Sequence, residues 1–143
     1  MEGKRFSLVK PTTNTPFHID FEWWKKQENN WRVFLYSYLC PEHHSAFADA
    51  TQSIMIDHID PETAEVHAVD GLQHVLITHC ARQPGFVTQN TSLVDSVFRI
   101  FLANGNSPLT PVQLSEATGK SPDTILRTLA GIVVYKGIRP IQS

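Results

Sequence analysis

From residue 93 onward, apolar side chains recur at helical spacing in short blocks cut by capping residues, a pattern that leaves little freedom of fold. Leu93, Val94, Val97, Phe98, Phe101 and Leu102 form one stripe, stopped by Asn104-Gly105-Asn106. Thr110 before Pro111 opens a second helix with Val112, Leu114 and Ala117 facing inward, and Gly119 closes it. Ser121-Pro122-Asp123 starts a third helix over 124–130, in which Ile125, Leu126 and Leu129 can pack. Residues 132–135 and 138–141 then read as the strands of a tight β-hairpin with Lys136-Gly137 at its tip.

This tail contains no histidine or cysteine. All seven histidines and both cysteines lie before residue 81, so every soft metal ligand belongs to the front of the chain. There, Arg5 to Val9 read as a short strand and residues 11–16 as a loop. Asp20 is placed to cap a helix over 21–27, on which Trp23 and Trp24 must face different ways. Trp31, Phe34, Leu35, Tyr38 and Leu39 predict an amphipathic helix over 31–39, and Pro41 starts another running to about residue 53. Residues 54–59 and 65–69 read as a hairpin about the turn 60–63, although Ile54 and Met55 equally suit an extension of the helix. Asp70 caps a further helix from Gly71 to about Arg82, ended by Pro84-Gly85. The expected fold class is mainly α with small β-hairpins (α+β), as an α-rich domain over 1–90 and a second domain over 91–143.

Cys40-Pro41-Glu42-His43 has the two-residue gap that lets two ligands meet one ion, and His79-Cys80 offers a second pair from another helix. Two sulfurs and two nitrogens suit tetrahedral zinc better than iron, since no cluster-type cysteine run exists. Adjacent helical residues point about 100° apart, so His79 and Cys80 coordinate together only if their helix ends there, and His44 stands as the substitute ligand. Buried packing is the alternative role for both cysteines. His18, His58, His67 and His74 are expected to be solvated or hydrogen-bonded. Glu42 beside Cys40 and His43 is placed as a general base for a metal-bound water, but no catalytic signature accompanies it, and the chain is expected not to be an enzyme.

The stretch Leu109-Thr110-Pro111-Val112-Gln113-Leu114-Ser115-Glu116-Ala117-Thr118-Gly119-Lys120-Ser121-Pro122-Asp123-Thr124-Ile125-Leu126-Arg127-Thr128-Leu129 resembles the helix-turn-helix core of bacterial winged-helix regulators. The likeness covers about a third of the chain and points to a superfamily, with no particular family singled out. It implies that the third helix enters the DNA major groove with Ser121, Thr124, Arg127 and Thr128 outward. Arg127 is the residue suited to a bidentate guanine contact. Lys120 would meet a phosphate, and Lys136 and Arg139 on the wing would reach the backbone or minor groove.

Charge tempers that expectation. Residues 91–143 hold five bases against three acids, and residues 1–90 hold seven bases against eleven acids, giving +2 and −4. A DNA binder this weakly basic gains from two-fold symmetry, which makes a homodimer the expected assembly. No apolar run is long enough for a membrane span, and no secretory signal is evident, so a cytoplasmic protein is expected. The reading that follows is a small DNA-binding transcriptional regulator whose zinc-stabilised front serves dimerisation or sensing. The alternative is a protein–protein adaptor, docking through the aromatic segment from Phe17 to Tyr38 without sequence-specific DNA contact.

Overall fold

The computed structural model describes residues 10–28, 30–44, 55–88 and 91–141. The expected strand over 5–9 and the continuation of the third helix over 45–53 lie outside them. Among the described residues the chain is mainly helical, with two small two-stranded antiparallel sheets. No helix among them is long and apolar enough to cross a membrane.

The front begins with β1 (Phe17–Ile19) and α1 (Phe21–Gln27). Asp20 caps α1 by accepting from the Trp23 N–H at 3.1 Å, satisfying a backbone donor that the first helical turn leaves open. Phe21 and Trp24, three residues apart, are buried, while Trp23 is half-buried against the same core with the Arg139 guanidinium over its ring. α2 (Trp31–Tyr36) stops three residues short of its expected end. The Ser37 hydroxyl donates to the Phe34 carbonyl at 2.6 Å, and the N–H groups of Tyr38 and Leu39 reach carbonyls only three residues back. That tightening buries Leu39 and swings Tyr38 toward Asp95. α3 (Pro41–His44) follows at once.

β2 (Met55–Ile59) and β3 (Val66–Asp70) pair antiparallel with His58 opposite His67, as the sequence predicts. α4 (Gly71–Thr78) is capped by Asp70 and ends four residues early, at His79, before a 3-10 turn over Cys80–Arg82. The Thr78 hydroxyl bonds back to the His74 carbonyl at 2.7 Å, and the turn that follows buries Cys80 and Ala81.

The tail contains α5 (Leu93–Ala103), α6 (Pro111–Thr118) and α7 (Pro122–Leu129). Thr110, Gly119 and Ser121 stand at the helix ends where the sequence places them. Thr110 and Gln113 form a reciprocal capping box, Gly119 takes the left-handed conformation at φ 79°, and Ser121 caps α7.

The expected terminal hairpin does not form. Lys136 and Gly137 do make the tight turn, with φ of 50° and 75°, but residues 132–135 are not a strand and Ile132 is fully exposed. β4 (Ile138–Pro140) pairs instead with β1, Ile138 opposite Ile19. The physical reason is burial: β1 brings Phe17 and Ile19, both almost inaccessible, so Ile138 joins the main core by pairing there. A further bridge from Phe17 to Leu109, and Asn106 hydrogen-bonded to both the N–H and the carbonyl of Ile19 at 2.9 Å, tie β1 to the tail. One buried cluster accordingly runs from Phe17, Trp24 and Leu35 through Leu72 and Leu76 to Phe98, Phe101, Leu114, Ile125 and Ile138.

Candidate metal centre

Two chain segments meet at the ends of α2 and α4. Cys40 and His43 come from the start of α3; His79 and Cys80 come from the break after α4. That break takes the two neighbouring residues out of one continuous helix. His79 leaves helical geometry (φ −125°, ψ −64°), and the 3-10 turn redirects Cys80 inward. Docking of α2 on α4 brings the two ends together, reinforced by the buried ion pair between Arg32 of α2 and Asp70 at the head of α4.

The Cys40 and Cys80 sulfurs lie 3.3 Å apart, and both face His43 Nδ1, at 3.2 and 3.6 Å respectively. A tetrahedral site with metal–sulfur about 2.3 Å and metal–nitrogen about 2.0 Å has sulfur–sulfur and sulfur–nitrogen edges of about 3.5–3.8 Å. The three atoms thus fall within a few tenths of an ångström of one face of such a tetrahedron. His79 Nε2 sits 3.2 Å from Glu42 Oε1, and the His79 ring packs edge-on to His43 with centroids 4.6 Å apart. Cys40, Glu42, His43 and His79 each offer a ligand atom, all within 4.8 Å of one another, and this group can hold a metal ion.

Burial pushes the Cys80 thiol up to about 11; a hydrogen bond with the Cys40 backbone works against this, while the Cys40 side chain and the Glu42 charge add to it. A metal ion that binds a thiol raised in this way displaces its proton, so metal binding and thiol deprotonation are coupled.

The structure therefore brings Cys80 against Cys40 and His43, and gathers Cys40 and His43 with His79 in a group that does not include Cys80. It adds Glu42, which the sequence reading set beside the site as a base and not as a ligand. The available signal was its position between Cys40 and His43 on the same turn. His44, the substitute ligand, is turned away: its ring packs on Tyr36 at 4.8 Å, and its carbonyl accepts from the Tyr36 hydroxyl.

The residues expected to meet DNA separate into two groups. Lys120, Ser121, Thr124 and Arg127 are exposed at and along α7. Thr128 is half-buried and its hydroxyl donates to the Thr124 carbonyl at 2.9 Å. Lys136 and Arg139 do not form a wing. Lys136 Nζ contacts the Tyr38 hydroxyl at 2.6 Å and Asp95 at 3.5 Å, while Arg139 pairs with Asp20 at 3.1 Å. Acids of the front and of α5 hold these two bases against the body of the protein.

No protein-family model, curated protein or solved structure matches this chain.

Proposed function

We propose that the protein is a small zinc-stabilised helix-turn-helix regulator that binds DNA through α7. Convergence of Cys40, Cys80 and His43 within 3.2–3.6 Å, from two segments forty residues apart, carries the metal part of this reading. Two thiolates and an imidazole favour zinc over the harder divalent ions, and His79 or Glu42 closes the tetrahedron. The ion pins the start of α3 to the turn after α4, and Ala81 of that turn packs in the same core as Val97 and Phe98 of α5. Metal binding then stabilises the base on which α6 and α7 stand.

Support for DNA contact is the capped α6–α7 pair with Lys120, Ser121, Thr124 and Arg127 exposed. With Lys136 and Arg139 held in ion pairs, the phosphate footprint is small and the expected salt slope shallow. Affinity selection from random duplexes, followed by anisotropy titrations, tests the reading. Arg127→Ala should weaken the selected site by about 5- to 150-fold, the value of one bidentate base contact, with Lys136→Ala leaving DNA affinity unchanged. Failure of the intact zinc-loaded protein to select any sequence at low salt overturns DNA recognition. It would favour the adaptor reading, for which the exposed Ile132, Val133 and Tyr135 are the supporting observation.

A further inference from the structure

We infer that Cys40 and Cys80 form a redox-active dithiol, whose oxidation by a peroxide to a disulfide expels the metal. The inference rests on the metal reading for its consequence, but its chemistry depends only on the two sulfurs.

Their separation is 3.3 Å, and a disulfide bond is about 2.0 Å long. Closing a gap of little more than an ångström between a short connecting turn and a 3-10 turn needs no rearrangement of the helices. The two sulfurs also differ in access. Cys80 is 1% exposed, whereas Cys40 is only partly covered. Cys40 is therefore the sulfur a small oxidant reaches first, and Cys80 is the resolving partner held beside it.

The Cys40 thiolate attacks one oxygen of hydrogen peroxide; the sulfur–oxygen bond forms, the oxygen–oxygen bond breaks, and hydroxide leaves to take up a proton. Cys40 is then a sulfenic acid. The Cys80 thiolate attacks that sulfur; the sulfur–sulfur bond forms, the sulfur–oxygen bond breaks, and a second hydroxide leaves as water. Two sulfurs have given up two electrons, and one peroxide has become two waters.

A disulfide cannot serve as two thiolate ligands. What remains is His43 with His79 and Glu42, a set without the sulfur donors that favour zinc, and the ion is released. The 3-10 turn that carries Cys80 packs against α5, so the exchange of an ion for a disulfide is felt at the base of the helix-turn-helix.

The test uses the full-length protein, purified under reducing conditions and reconstituted with zinc. It is titrated with hydrogen peroxide while three quantities are followed: zinc released to a chromogenic chelator, free thiols, and the Cys40–Cys80 linkage by peptide mass mapping. The expected result is loss of both thiols and of the zinc in step with appearance of the linkage, all reversed by dithiothreitol and added zinc. In Cys80→Ser, dimedone should trap a sulfenic acid at Cys40, and in Cys40→Ser it should trap none at Cys80. Wild-type mapping needs neither variant to fold. Retained zinc with unreacted thiols, or oxidation to sulfinic acid without a linkage, overturns the inference. A protein that forms the linkage but never binds zinc removes the metal reading and leaves the dithiol standing.

Discussion

Replacing Asp70 with asparagine should cost this protein about 3–5 kcal/mol, the penalty for breaking a buried ion pair from one side. Arg32 and Asp70 face each other with residue exposures of 7% and 8%, so solvent screening, which reduces surface pairs to almost nothing, does not apply. Burial already lowers the Arg32 pKa, which reports the same desolvation from the side of the cation. The substitution keeps the second job of Asp70, since asparagine caps helices about as well as aspartate and the Gln73 N–H retains an acceptor. What is lost is the charge opposite the guanidinium. Asp70→Ala removes the cap too and should cost about 1 kcal/mol more. Adding Arg32→Met to Asp70→Asn removes the buried guanidinium as well, so the double variant should recover part of the loss, with a coupling on the order of 2 kcal/mol. Urea denaturation followed by tryptophan fluorescence measures all four proteins, with Trp24 and Trp31 as buried reporters. The same zinc concentration is used throughout, because any metal that binds the folded state adds to its stability. An Asp70→Asn protein within 1 kcal/mol of wild type, or a cycle with no coupling, would refute the reasoning.

Two further perturbations test other joints. Asn106→Ala removes both hydrogen bonds that hold β1 through Ile19 and places alanine at φ 60°, for an expected loss of about 2–3 kcal/mol; Asn106→Gly should recover only the conformational part in the same urea assay. Asp95 is partly buried, which by itself raises its pKa, but hydrogen bonds from Tyr38 and Arg99 and the charges of Arg99 and Lys136 outweigh this and hold it below the ordinary carboxylate value. A depressed folded-state pKa contributes stability that is full above the unfolded value, about 3.9, and is lost as pH falls through the folded one. Asp95→Asn should therefore be less stable at neutral pH and show a flatter acid limb in urea midpoints from pH 7 to 2; parallel curves would contradict this.

Local chemistry made much of this fold legible. Asp20, Asp70, Thr110 with Gln113, and Ser121 each announce a helix start that the backbone follows, because a cap is satisfied within three residues of itself. The misread terminal hairpin had the opposite character. Residues 132–135 have the composition of a strand, yet the partner of β4 is β1, about 120 residues away in the chain, and only the shared core of Phe17, Ile19 and Ile138 decides between the two pairings. The same non-locality misplaced Lys136 and Arg139. As isolated bases after a helix-turn-helix they look available to phosphate, while Asp95 and Asp20 that claim them come from elsewhere in the sequence. At the metal centre, the Cys40–His43 spacing was readable. The early end of α4, which takes His79 and Cys80 out of one continuous helix, goes with burial of Cys80 and Ala81 that no local pattern encodes.

The central claim is that Cys40, His43 and Cys80, closed by His79 or Glu42, hold zinc. Plasma mass spectrometry of the full-length protein, purified without chelators beside a Cys40→Ser/Cys80→Ser control, tests it most directly. The account predicts about one zinc per chain in the wild type and none in the control. A wild-type protein that carries no metal and takes up none on reconstitution would contradict it.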